Sequence, residues 1–285
     1  MVRVWGAEKT TLRETSTGSA EVDSVLPADP GAPSAPSHRK ADTGVVMEMA
    51  AKAAAAAAAG PAGPAGPAAR AGAAAGIAGP AVFTGAWIVS SLRQTGHPAL
   101  ELQISGLAAA DARDPWIMIA GFLVLGGCGV AFGASVRDGF GGRVSLGGRR
   151  GLGGRGGLAP GLIQGAGVLT VAAGLLRRDH MLLTTGDVSW HNHAHDVVSA
   201  VIYADLVLAQ ALLAWRFGRD VTDRDGWRAW RPWLLASAGV TAVLLIAYAA
   251  DTSAPHAGIV QRAAVTLPLA ALAAIATRLV RTPGG

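Results

Sequence analysis

Long apolar runs dominate the chain from residue 72 onward. Six of them have about the 20 residues that a helix needs to cross a hydrocarbon core of about 30 Å. The runs cover residues 72–93, 115–135, 158–176, 194–215, 232–250 and 257–280. None alternates polar and apolar residues as a strand of a membrane barrel does. The pattern therefore predicts an all-α fold, a polytopic membrane bundle of six transmembrane helices.

Residues 1–70 have no such run and no amphipathic period. They are rich in Ser, Thr, Ala and Pro with mixed charge, and they bury too little apolar surface to offset the entropy of ordering. We predict a disordered low-complexity cytoplasmic tail over 1–70 and a six-helix transmembrane domain over 71–282. We expect no cleavable signal peptide, and Met47 or Met49 is an alternative start that would leave the preceding residues outside the native protein.

Composition supports a membrane protein. Only 15% of the residues are charged, and the mean hydropathy is +0.37, whereas a soluble domain carries about a quarter charged residues. The net charge of +5 and the pI near 10.1 would suit nucleic acid, but the basic residues form short clusters between apolar runs. We therefore expect the lipid bilayer as partner and no nucleic acid, and the sequence specifies no oligomeric state. Cys128, the only cysteine, excludes an intrachain disulfide.

Arginine indicates the orientation in the membrane. Arginines concentrate before the first run, after the second and fourth runs, and at the end of the sixth. They are Arg70, Arg137, Arg143, Arg149, Arg150, Arg155, Arg216, Arg219, Arg224, Arg228, Arg231, Arg278 and Arg281. The positive-inside rule places these segments, and with them both termini, in the cytoplasm. Because arginine, alanine and glycine predominate as in a GC-rich bacterial genome, we expect the plasma membrane of a bacterium.

Histidines collect on the opposite side of the membrane. The densest cluster reads WHNHAHD over residues 190–196. His191 and His195 are four residues apart, so on a helix they share a face at about 5–6 Å. That spacing suits two ligands of one divalent ion such as zinc, with Asp196 or Asp179 as an oxygen ligand. Interfacial histidines that cap a helix and bond lipid headgroups are the alternative interpretation.

Two ionisable side chains fall inside predicted helices. Arg262 lies early in the sixth and Asp205 near the middle of the fourth, and either one unpaired costs at least about 2.5–3.5 kcal/mol at membrane depth. Both should face the bundle interior or a wet cavity. The candidates for the counter-charge of Arg262 are Asp179, Asp196, Asp205 and Asp251.

Asp205 shares one face of the fourth helix with His191 and His195, at about 100° per residue. That line of groups suits a proton or ion path. A structural ion pair, or a hydrogen bond to Gln164 or Thr266, is the alternative.

We expect the polar residues of the outer connections to converge in an outward-facing pocket. Its candidate members are Ser105, Asp179, His191, His195, Asp196, Gln261 and Arg262.

Three short motifs carry a resemblance to a known family. They are Ile104-Ser105-Gly106-Leu107 ahead of Pro115-Trp116, Asp179 followed by the His191 to Asp196 cluster, and Gln261-Arg262. In their order and positions, residues 76–282 resemble the domain of unknown function 998, a group of prokaryotic six-helix membrane proteins. The resemblance implies the six-helix fold and no established activity. The chain departs from the family pattern at Gly106, where an acidic residue is common, and at Leu176-Arg177, where Phe-Pro is common.

Three classes of function are open. The first is an uncharacterised multi-pass membrane protein whose outer pocket binds a lipid headgroup or a small solute. The second is a membrane-embedded metal-dependent hydrolase using His191 and His195, and the third is a proton- or ion-coupled transporter using Asp205. The sequence has no GxSxG, HExxH or cofactor fingerprint and no obvious inverted repeat. The first class is therefore favoured, with no catalytic residue assigned.

The arginine pattern makes a topology prediction. On a Cys128→Ala background, a cysteine at Ser145 should resist an impermeant thiol reagent in intact cells, whereas a cysteine at Thr184 should react. Labelling is measured before and after permeabilisation, which exposes both positions. Ready labelling at Ser145 in intact cells would contradict the assigned orientation.

Overall fold

The computed structural model describes residues 66–95, 101–141, 157–182, 189–219, 226–250, 252 and 256–281. The predicted disordered tail therefore lies outside the described residues up to residue 65. Asp251, a candidate partner of Arg262, also lies outside them.

Six α-helices make up most of the described chain. They are α1 (Pro67–Arg93), α2 (Pro115–Gly141), α3 (Leu158–Leu175), α4 (Trp190–Arg219), α5 (Arg231–Ala250) and α6 (Ala257–Arg281). Two short 3₁₀ helices, Ser105–Ala108 and Trp227–Trp230, lie between them. All six α-helices are long and apolar enough to cross a membrane, and the described residues contain no strand. The predicted all-α membrane bundle of six helices is confirmed.

Two helices begin earlier than their apolar runs. The first starts at Pro67 rather than near residue 72, because proline fits the first turn, where no backbone N–H partner is needed. The fourth starts at Trp190 rather than near residue 194. The backbone N–H groups of Asn192 and His193 bond the carbonyl of Ser189. The WHNHAHD cluster therefore lies within the first two turns of α4.

The helices form a ring in chain order. Each helix packs against the next one, and α6 closes the ring against α1. Glycines permit the closest approach, between α2 and α3: a methyl group at Gly126 would lie 2.5 Å from the Gly167 carbonyl oxygen, and one at Gly167 would lie 2.7 Å from the Gly126 oxygen. Small residues at such contacts let helix backbones touch, which stabilises helix pairs in lipid.

The two ends of the ring differ. At the arginine end, α1, α3 and α5 begin and α2, α4 and α6 end. The opposite end, called the capped end, carries residues 101–114, where the chain folds back onto the helices. Exposed tryptophans lie near both ends, Trp116 and Trp190 at the capped end and Trp215 and Trp233 at the arginine end. Tryptophan at both boundaries is typical of a membrane-spanning bundle.

The glycine contact between α2 and α3 predicts a sharp difference between two substitutions. Gly167→Val should lower the free energy of unfolding by about 1–3 kcal/mol, because the added carbons overlap the α2 backbone. Gly161→Ala on the same helix is the control, since no heavy atom lies within 4 Å of a methyl group there. Denaturant unfolding in detergent micelles measures both. Equal stability of the two variants would contradict the close approach.

Candidate functional site

The cap segment, residues 101–114, is built into the capped end rather than lying on it. Leu102 and Leu107 are fully buried, and Ile104 is 2% exposed. These side chains pack with Phe83 of α1 and Phe122 of α2 in one apolar cluster. Burial of that apolar surface holds the segment across the helix ends.

Glycine is required in the middle of the cap segment. A methyl group at Gly106 would overlap the backbone carbonyl oxygen of Met181. The Ala110 N–H also donates to the Arg178 carbonyl at 3.1 Å, so the cap segment and the chain after α3 lie backbone to backbone. The departure of this chain from the family pattern at Gly106 thus has a structural reason, because an acidic side chain has no room there.

A buried guanidinium joins the cap segment to α4. Arg178 is 3% exposed, and its Nη1 donates to Gln103 Oε1 at 2.7 Å and lies 3.3 Å from Ser105 Oγ. Its Nε donates to Asn192 Oδ1 at 3.3 Å, and its Nη2 lies 4.0 Å from Asp196 Oδ1. These five residues form the Arg178 network. All but Asp196 are buried.

Asp179 links the end of α3 to the start of α4. Its Oδ2 accepts the Ser189 backbone N–H at 2.7 Å, and its Oδ1 accepts the Ser189 hydroxyl at 2.8 Å. These two hydrogen bonds hold the pKa of the Asp179 carboxyl below its ordinary value of 3.8. Asp179 therefore fixes the residue on which the first turn of α4 is built, and it joins neither Arg262 nor the Arg178 network.

The two histidines of the H-x3-H pair have different surroundings. His191 is exposed, with its ring centroid 3.9 Å from that of Trp190. His195 is 2% exposed, and its Nδ1 lies 3.0 Å from the Ala173 carbonyl oxygen and 2.8 Å from the Leu176 carbonyl oxygen. A carbonyl only accepts, so Nδ1 carries the proton. His195 satisfies carbonyls that the last turn of α3 leaves without helical partners.

The predicted metal site is not assembled from these side chains. Within the described ranges no three His, Cys, Asp or Glu side chains are grouped to hold a metal ion. The described contacts of His191 and His195 have no residue in common. A zinc ion bound by this pair stays a prediction that the arrangement does not favour.

Gln261 connects α6 to the cap segment. Its Oε1 accepts the Ile104 backbone N–H at 2.7 Å, and its Nε2 lies 3.4 Å from the Tyr248 hydroxyl. Gln261 also lines a central cavity of about 90 Å³ inside the ring, which Ser105 and Tyr203 line as well. Most of the other lining residues are apolar, among them Phe83, Phe122, Phe132, Leu206, Leu269 and Leu272.

Arg262 is buried, and no carboxylate of the described residues pairs with it, contrary to the expectation of a counter-charge from Asp179, Asp196 or Asp205. It is 7% exposed, and its Nη2 donates to Ser91 Oγ at 3.1 Å. Its Cζ lies 5.3 Å from the Trp87 ring centroid. No ion pair of the described residues includes it. The guanidinium therefore faces α1 through a hydroxyl and an aromatic ring.

Asp205 stands apart from the other polar groups. It is partly exposed, and its Oδ2 would lie 3.4 Å from a methyl group added at Gly165 of α3. The expected partner Gln164 instead accepts from Arg137 and donates to the Val130 carbonyl at 3.4 Å. The structure joins Asp205 to neither His191 nor His195 by any described contact. The ion path of the transporter hypothesis stays a prediction, because the described contacts do not connect Asp205 to His191 or His195.

Sequence reasoning missed residues that carry much of the polar contact at the capped end: Trp87, Ser91, Gln103, Arg178, Asn192 and Tyr203. One signal was present. Arg177 and Arg178 are adjacent in a connection that the arginine pattern assigns to the arginine-poor side. An arginine that breaks the positive-inside pattern is a candidate for burial, because it needs a reason other than orientation.

The fold and the capped end define a class: a six-helix multi-pass membrane protein with one end of its ring covered by an internal segment. Residues 77–278 match the family described as protein of unknown function, DUF998, and the chain belongs to that family. No curated protein and no solved structure matches it.

The Asp179–Ser189 contact makes a pH prediction. A carboxyl whose pKa is lowered on folding stabilises the fold above its ordinary pKa, and that stability is lost as the pH falls below 3.8 and through the lowered value. Asp179→Asn should therefore lower the unfolding temperature at neutral pH, and the difference from the unsubstituted protein should vanish in acid. Asp138→Asn, at an exposed position, is the control. A difference that persists unchanged at low pH would contradict the ionised contact.

Proposed function

We propose that the chain is a multi-pass protein of the bacterial plasma membrane that binds a small amphiphile, or the headgroup end of a lipid, at the capped end of its central cavity. Both termini are assigned to the cytoplasm. The support for this orientation is the clustering of arginines such as Arg70, Arg137, Arg219 and Arg281 at the arginine end. The capped end then faces outward.

The observation that carries the proposal is the uneven polarity of the cavity. Its walls are mainly apolar. Ser105 and Gln261 line it beside the cap segment, and Tyr203, Thr170 and Ser199 are the other polar lining residues. An amphiphile has the same division, with an apolar part that gains by leaving water and a polar part that needs hydrogen bonds. Ligand pockets commonly combine apolar walls with a few convergent polar groups.

The size of the cavity limits the ligand. A volume of about 90 Å³ is several times the roughly 10–15 Å³ of such space that a single water molecule needs. A short apolar group fits this space. The proposal therefore commits to a ligand that inserts a narrow apolar part and keeps its polar part among Ser105, Tyr203 and Gln261.

Photolabelling tests the proposal with a defined probe, a short neutral alkanol that carries a diazirine. In protein reconstituted into nanodiscs, the label should attach to cavity-lining residues such as Phe122, Ile202 and Leu269, as mapped by mass spectrometry. Labelling confined to exposed residues such as Val243 and Ile246 would contradict a cavity ligand.

A matched pair of substitutions on α1 sharpens the test. Ala75 lines the cavity, whereas its neighbour Ala74 is exposed and does not. Ala75→Leu should fill part of the space and reduce cavity labelling several-fold, and Ala74→Leu should leave it unchanged. Both variants add the same apolar volume, so a general effect on partitioning into the bilayer would alter both equally. Equal labelling of the two would count against the proposal.

A further inference from the structure

Hydrogen-bond donors without acceptors gather where α1 meets α6. Arg262 Nε and Nη1 are buried with no partner among the described residues, and so is Trp87 Nε1. Ser90 is fully buried, and its hydroxyl also has no partner there. Ser90 and Ser91 each lie about one turn after Trp87 on α1, and Arg262 contacts Ser91 and Trp87. With Arg262 they form a group that we call the arginine pocket.

Other arginines of the capped end do not share this condition. Arg93 bonds Asp114 at 2.6 Å, and the described donors of Arg178 reach Gln103, Ser105 and Asn192. Among the described residues, Arg262 has only the Ser91 hydroxyl and the face of the Trp87 ring as partners. A buried cation without an anion is costly in a membrane protein, and such residues mark functional sites. The arginine pocket therefore has the charge and the donors of an anion-binding site.

The donors indicate the kind of anion. Arg262 and Trp87 can only donate, and the Ser90 hydroxyl can also do so. The open donors are Arg262 Nε, Arg262 Nη1, Trp87 Nε1 and the Ser90 hydroxyl. Several donors of this kind match the several acceptor oxygens of a phosphate group, which arginine binds through its planar fork.

The pocket lies within two turns of the capped end. Arg262 is the sixth residue of α6 and Trp87 lies six residues before the end of α1, so both are about 8–9 Å from their helix ends at about 1.5 Å per residue. Tryptophan is enriched at the boundary between headgroups and acyl chains. Beside the pocket, Ile88, Val89, Ile259 and Ala263 are exposed on the two helices. These apolar side chains can lie against acyl chains while the phosphate contacts Arg262.

We propose that the arginine pocket binds a phosphate group, supplied by an anionic lipid that approaches between α1 and α6. The same chemistry would also accept free inorganic phosphate, so the experiment has to separate the two sources. The site lies outside the lining of the central cavity. The proposal is therefore independent of the cavity ligand, and either one can fail alone.

Three probes test the full-length protein in a neutral maltoside detergent, with the unfolding temperature as readout. They are a short-chain phosphatidate, the diacylglycerol with the same chains, and inorganic phosphate. The phosphatidate should raise the unfolding temperature in a concentration-dependent way, because a ligand that binds only the folded state stabilises it. The diacylglycerol should not. An equal effect of inorganic phosphate would assign the site to the free ion, and no effect of either phosphate probe would overturn the proposal.

Variants connect the effect to the pocket. Arg262→Gln should weaken phosphatidate binding by about 100-fold, as removal of a buried charged partner does, and Arg262→Lys should restore part of it. Trp87→Phe keeps the ring and removes the N–H, so a loss of about tenfold is expected. Arg113→Gln is the control for net charge, since Arg113 is exposed at the same end.

Two outcomes would contradict the assignment. One is an equal loss of binding in Arg262→Gln and Arg113→Gln, which would indicate nonspecific attraction between charges. The other is full binding in both Trp87→Phe and Ser90→Ala, which would show that the open donors take no part. These two milder variants also decide the matter if Arg262→Gln does not fold.

Discussion

The buried guanidinium of Arg178 is the interaction on which the capped end depends. A buried charge is costly unless it is hydrogen-bonded, and the partners of Arg178 come from two parts of the chain. Gln103 and Ser105 belong to the cap segment, and Asn192 belongs to α4. The cap segment, the end of α3 and the start of α4 are thereby held in one arrangement.

Asp179 and His195 extend the same arrangement to the helix ends. Asp179 bonds Ser189 directly before the first turn of α4. His195, on the second turn, bonds carbonyls in the last turn of α3. Polar residues that resemble a metal site in sequence thus act as mutual caps of two helices. Within a membrane, where water cannot satisfy backbone groups, such contacts have a structural role that is easily mistaken for chemistry.

The helices could be predicted from sequence because each apolar run reports directly on the length of the hydrocarbon core. The start of α4 could not, since its first turns contain His191, Asn192 and His193 and are fixed by Asp179 from another segment. Among the site residues, the burial of Arg262 followed from its cost in lipid. The partners of Arg262 could not be predicted, because a hydroxyl and an indole on α1 leave no charge pattern in the sequence.

The ring order of the helices has a consequence for biosynthesis. Five of the six neighbouring contacts join helices that follow each other along the chain, and only the contact between α1 and α6 joins its two ends. Successive helix pairs can therefore associate as they leave the ribosome and the translocon. The contact between α1 and α6 forms only after α6 has been inserted. Until α6 is inserted, Trp87 and Ser91 of α1 lack their contacts with Arg262. The completion of translation is thus also the step that encloses the interior of the bundle.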